Sequence, residues 1–191
     1  NDGIRDHINA DALSAAPYEL QGTGVDVLVY DSGQAGNHVD FGSRLTHGDA
    51  DSVSEHSTHV AGTIGGSGAN SQNQGGTALQ WRGLAPAVDL ISYGTQGYSG
   101  SGVIFYEDLP DIENDWAEAW NTYNADLANA SLGSNIYSNY PSTGCDLMGV
   151  YGSAAVLVDQ IVRGNNSVVG TGNKYIAAWS VGNERGWGST C

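Results

Sequence analysis

Apolar residues in this chain fall into short, nearly continuous runs, separated by stretches rich in glycine, serine and asparagine. Residues 25–30 (VDVLVY) read as a strand buried on both faces, because β-branched residues follow one another with almost no polar interruption. The run ends in a turn, Asp31-Ser32-Gly33. Residues 88–93 (VDLISY), 125–132 (ADLANASL) and 175–181 (YIAAWSV) predict three more strands, the last ending at Gly182-Asn183. Between them the period changes. Residues 56–64 (HSTHVAGTI) predict a helix in which Ala61 and Gly62 permit close packing. Pro110-Asp111 opens a second helix, where Ile112, Trp116, Trp120 and Tyr123 recur in steps of 4, 4 and 3. At that spacing the aromatics read as core rather than as ligand contacts. Residues 151–162 (YGSAAVLVDQIV) predict a further helix. Residues 65–78 and 94–102 read as Gly/Ser-rich loops.

Strands alternating with helices predict an α/β fold: three layers, a mostly parallel sheet with helices on both faces. There is no internal repeat and no linker, so the 191 residues read as one domain or part of one. In such sheets ligands gather beyond the carboxyl ends of the strands. Asp31, Gly133 and Asn183 all fall at or just past such ends.

Composition narrows the class. Hydrophobic residues make up 40% and charged residues only 14%, with 28 glycines, which suits a packed enzyme with many tight turns. The net charge of −15 repels phosphate backbones and anionic membrane surfaces, so no nucleic-acid partner is expected. The plainer account of the acidity is solubility; the alternative is carboxylates gathered around calcium. No apolar run approaches the roughly 20 residues that cross a bilayer. The chain opens at Asn1 rather than Met, which suggests that an upstream piece is removed and fits a secreted, extracellular protein. There, Cys145 and Cys191 could pair, closing a loop worth about 4 kcal/mol; two free thiols are the other reading.

Three residues could carry chemistry. Asp31, at the end of a buried strand, is shielded from water and could orient an imidazole, or it could simply cap a turn. His56 opens a helix, whose positive end favours the neutral imidazole that a general base must be. Asn183, after a glycine at a strand end, could present its amide to a developing oxyanion, though Asn also favours turns. His56 and His59, spaced i, i+3, could instead bind zinc with Asp31 or Glu55, but no HExxH is present and no third ligand has a convincing spacing. Otherwise His59 reads as a packed, hydrogen-bonded histidine.

Taken in order, VLVYDSG, then HSTHVAGT with His56 placed 25 residues after Asp31, then ANASLG, then AAWSVGN, resemble the successive signatures of the subtilase family of serine proteases. The resemblance covers nearly the whole chain and is most specific at VYDSG and HSTHVAGT. It implies a catalytic triad in the order Asp, His, Ser. Asp31 matches the aspartate of the D-[ST]-G motif, and His56 matches the first histidine of H-G-T-H-V-A-G. Asn183 matches the oxyanion asparagine of A-A-G-N. Ser131, Leu132 and Gly133 match the S-[LW]-G stretch lining the acyl-side pockets. Ser99, Gly100, Ser101 and Gly102 fall where the family pairs an edge strand with polypeptide substrate. No cofactor is implied for catalysis, while structural calcium is a family feature and Asp40 lies where some members hold it.

The sequence departs from the family pattern at three places. Ser57 stands where the family has glycine, and its Cβ is expected to crowd the backbone behind the imidazole. Trp179-Ser180-Val181 replaces small residues, with Trp179 expected to reshape the strand under the specificity pocket. The G-T-S-M-A nucleophile motif is absent: Ser99 and Ser189 precede no helix, and residues 65–69 (GGSGA) are only a loop-like variant of a nucleophile elbow. The expectation is therefore an N-terminal part, residues 1–191, of a single subtilisin-like peptidase domain. Its C-terminal segment with the serine would be missing through cleavage or truncation, or present as a separate chain. The rival expectation is a nucleophile-less binding or regulatory module.

Overall fold

The computed structural model describes residues 1–95, 109–133, 146 and 149–183. Five parallel strands form the central sheet: β1 (Asp26–Asp31), β2 (Leu45–His47), β3 (Asp89–Gly94), β4 (Leu127–Ala130) and β5 (Ile176–Trp179). Their order across the sheet is β2-β3-β1-β4-β5, so β1 is central. Val27 sits level with Leu90 and Leu127, and Tyr30 with Tyr93 and Ala130. Two short pairs lie outside the main sheet: Gln34–Ala35 with Val53–Ser54, and Asn165–Asn166 with Gly170–Thr171.

Alternation along each strand divides the core in two. Leu28 and Tyr30 of β1, with Ile91 and Tyr93 of β3, face one side. There they meet Ile112, Trp116, Ala119 and Trp120 of the helix α3 (Leu109–Asn121), and Leu157 and Ile161 of α4 (Ser153–Val162). Val27, Val29 and Leu90 face the other side, against Ala61 of α2 (Glu55–Gly65), with Phe41 and Val88. Helices on both faces explain why β1 reads as an unbroken apolar run: it has no solvated side. An N-terminal helix, α1 (Asp2–His7), and a single turn at Asp11–Ser14 precede the sheet. Buried Arg5 ties this region down, donating to Asp11 at 2.9 Å and to the carbonyls of Gln80 and Arg82.

The predicted three-layer α/β architecture is the one observed, and the four predicted strands are all present, the first two shifted by one residue and the last two shorter. Ile112, Trp116 and Trp120 on α3 are core as expected, while Tyr123 lies past the end of the helix and is only partly buried against that cluster. Trp116 packs edge-on to Tyr30 with centroids 6.0 Å apart and tilts against Trp120 at 5.1 Å. The strand β2 was not anticipated. Its three residues are partly exposed at the sheet edge, too short for a period of two to register.

Candidate active site

Asp31 ends β1, and its strand partner on the β3 side is Gly94. The loop that follows is tightly seated. Gly33 has φ +145, and a Cβ there would lie 2.7 Å from the Ser52 carbonyl oxygen, so glycine is required on both conformational and steric grounds. The Asp31 side chain is 1% exposed. Its Oδ1 accepts from the Ser32 backbone N–H at 2.7 Å and the Ser32 hydroxyl at 3.1 Å. Among the described residues Oδ2 is buried without a partner.

His56 stands in the first turn of α2. Ser54 caps that helix, its hydroxyl accepting from the Ser57 N–H. The imidazole Nδ1 lies 2.7 Å from Asp31 Oδ1. The ring is 55% exposed, whereas its acidic partner is buried. With Nδ1–H donated to the carboxylate, Nε2 is left as a base facing outward, which is the orientation a general base needs.

The helix and the Asp31 loop are joined at further points. Buried Ser57 donates its hydroxyl to the Gly33 carbonyl. Thr58 Oγ1 accepts from the Gly36 N–H at 2.7 Å and donates to the Ser54 carbonyl at 2.8 Å. The side chain expected to crowd the backbone at position 57 is fully buried, with its hydroxyl held closely against the Gly33 carbonyl. His59 differs from expectation. It is exposed, because residues i and i+3 share a helix face and His56 already points outward. It borders a cleft of about 420 Å³ with His38, Phe41, Val53 and Trp81, which neither Asp31 nor His56 lines.

On the other flank of β1, the segment Ser131, Leu132 and Gly133 leaves β4 at the same edge. Two side chains of β5 and its exit hold this segment. Trp179 Nε1 and Ser180 Oγ both donate to the Leu132 carbonyl, each at 3.0 Å. Trp179 also stacks on Trp116, with centroids 6.3 Å apart. The bulky tryptophan thus anchors the rim through the core. Asn183 is exposed, past the end of β5 at the same carboxyl edge. Residues Ser99, Gly100, Ser101 and Gly102, and both Cys145 and Cys191, lie outside the described residues.

Asp40 is half-buried beside the loop of residues 65–78. Its Oδ1 accepts from the Asn70 N–H at 2.8 Å and its carbonyl from Ser67 N–H at 3.0 Å. Among the described residues no three His, Cys, Asp or Glu side chains converge in a way that could hold a metal ion.

One feature near the site has no local sequence signature. Behind β3, Tyr93 donates to Glu118 Oε2 at 2.9 Å, and burial together with that carboxylate raises its phenol's pKa. Asp115 of α3 is 7% exposed, with Oδ2 unpartnered among the described residues. Burial first, then the charges of Asp111, Asp49, Glu118 and Asp51, push its pKa up to about 8. Burial also raises the pKa of Asp49, whose Oδ2 accepts from the Gly94 N–H at 3.2 Å. These acids come from segments some sixty residues apart.

Among the described residues no helix is long and apolar enough to cross a membrane. Comparison with known proteins places the chain in a family. The chain is 36% identical over 122 residues to alkaline serine exoprotease A of Vibrio alginolyticus, a match covering 60% of this chain and 20% of that protein. It thus spans about a fifth of the length of this relative. A solved structure described as a cold adapted subtilisin-like serine proteinase matches at 26% identity over 59% of this chain and 37% of its own, with a TM-score of 0.37. The sequence profile of the subtilase family matches residues 22–190, nearly the full length, and the chain accordingly belongs to the subtilase family.

Proposed function

We propose that this chain is the N-terminal part of a secreted serine endopeptidase that cleaves polypeptides through an Asp-His-Ser triad, with Asp31 and His56 as its first two members. The observation that carries the reading is the 2.7 Å contact between His56 Nδ1 and a carboxylate that is almost wholly buried. Asp31 holds the ring in the Nδ1–H tautomer and stabilises the imidazolium. A serine from sequence outside these 191 residues attacks the scissile carbonyl. His56 Nε2 takes the proton of that serine and passes it to the leaving amine. The amide of Asn183 donates to the tetrahedral oxyanion, an interaction worth about 3–4 kcal/mol. The substrate backbone runs between residues 99–102 and the segment Ser131 to Gly133. No step calls on a metal; any calcium, with Asp40 as a ligand, is structural.

Without the nucleophile this chain is expected to be inert, since loss of the serine in subtilisin costs about 2 × 10⁶ in turnover. The test is peptide-bond hydrolysis, with casein as substrate, by the protein expressed together with its continuation. The His56→Ala variant should lose activity by about 10⁶. Hydrolysis undiminished in that variant would reject the scheme. Hydrolysis by the 191-residue chain alone would show that the nucleophile lies within it.

A further inference from the structure

We propose that Ser57 is a positioning residue for the Asp31–His56 pair, an inference that rests on the proposed role of that pair. Asp31 and Gly33 lie on one segment, His56 and Ser57 on the other, and each residue of one segment binds its counterpart on the other. The imidazole meets the Asp31 carboxylate at 2.7 Å, and the next residue's hydroxyl donates to the Gly33 carbonyl. These two contacts close a ring between the end of β1 and the first turn of α2. The backbone pair of Gln34–Ala35 with Val53–Ser54 and the Gly36–Thr58 bond already hold the two segments together; the Ser57 bond is the tie that falls between Asp31 and that pair, where it bears on the carboxylate's own loop.

The surroundings make the second contact hard to replace. Ser57 is fully buried, so water has no access to take over its hydroxyl's role. A desolvated carbonyl left without its donor costs more than the bond itself contributes. Gly33 would have to turn toward another donor, and its backbone has little room, wedged against Ser52 and Ser54. The relaxation therefore falls on the loop. Asp31 feels it directly, because the neighbouring Ser32 N–H and hydroxyl orient the same Oδ1 that receives the imidazole. The link at Thr58 and Gly36 lies further along both segments and restrains the helix without fixing the carboxylate. The serine that replaces the family's glycine thus adds a bond that a glycine has no atom to make.

The experiment reads the tautomer of His56 in the 191-residue chain by two-bond proton–nitrogen correlation spectra of the imidazole. The Ser57→Ala and Ser57→Gly variants should lower the ratio of Nδ1–H to Nε2–H forms by about two- to tenfold, the range set by one net hydrogen bond. The pair Ser57→Thr and Ser57→Val is matched in volume and separates the hydroxyl from packing. The first should keep the wild-type ratio and the second should lose it. Circular dichroism confirms that each variant is folded, and either pair suffices if the other is not. An unchanged ratio in a folded variant that lacks the hydroxyl overturns the proposal, as does equal behaviour of Ser57→Thr and Ser57→Val. In the full-length protein, Ser57→Ala should lower kcat by a similar factor with KM unchanged. A shifted tautomer with undiminished kcat would uphold the positioning and count instead against the catalytic reading of the pair.

Discussion

Replacing Asp115 by asparagine should alter how stability depends on pH, with a sign set by its burial among other acids. Asp115 is almost fully buried on α3, among Asp111, Glu118, Asp49 and Asp51, with its pKa raised from 3.8 to about 8. Between those two values the unfolded chain has lost this proton while the folded chain still holds it. More protons bound in the folded state means that stability falls as pH rises. The stability is fully present below pH 3.8 and is lost as pH climbs toward about 8, where the loss levels off. One such group gives a slope of about 1.4 kcal/mol per pH unit, so moving from pH 5 to pH 7 should cost about 2.7 kcal/mol. An asparagine of the same shape has no proton to lose. The acids around Asp115 remain in both proteins, so the difference between the curves reports Asp115 together with its coupling to them. The assay is urea unfolding from pH 4 to 9, followed by tryptophan fluorescence, since Trp116 and Trp120 sit on the same helix. The variant should gain on the wild type steadily with rising pH, then hold its advantage above pH 8. Parallel curves across that range would refute the reasoning.

Two glycines predict opposite outcomes for the same substitution. Gly33→Ala puts a Cβ at φ +145 and within 2.7 Å of a carbonyl oxygen, and should cost on the order of 3 kcal/mol; a wild-type midpoint in urea would contradict the close seating of the Asp31 loop. Gly62→Ala lies inside α2 with nothing within 4 Å of the added carbon, and should raise stability by about 0.5–1 kcal/mol; thermal unfolding that moves downward would show that the small residue there is needed for packing.

The framework of the fold was legible because β1 and β3 are buried on both faces. Such strands cannot carry polar residues in alternation, so they appear as apolar runs whatever surrounds them. The α3 helix was legible for the complementary reason: Ile112, Trp116 and Trp120 share one face, and that face is buried. What escaped was set by distance in sequence. Nothing near Asp115 announces Asp49 or Asp51, and nothing near Ser57 announces the Gly33 carbonyl; only the folded chain makes them neighbours. His59 was misjudged through its own motif, because reading it as a ligand or a packed residue ignored that His56 had already claimed the outward face.

The same contrast holds within the candidate site. Because every strand of the sheet runs parallel, whatever follows an apolar run lands at one edge, so Asp31, Ser131 and Asn183 could be assigned to that edge from the sequence without knowing the strand order. Their separations could not, since these depend on the order β3-β1-β4-β5. That order puts Asp31 on the central strand, the segment Ser131 to Gly133 one strand away and Asn183 two strands away. At about 4.8 Å per strand, Asp31 and Asn183 stand roughly 10 Å apart across the sheet, before the loops extend or turn back. In the proposed scheme the carboxylate acts on the reacting carbon only through the imidazole between them, so it and the oxyanion donor need not touch. On the proposed reading, a spacing of two strands leaves room between Asp31 and Asn183 for the imidazole of His56 and the scissile carbonyl.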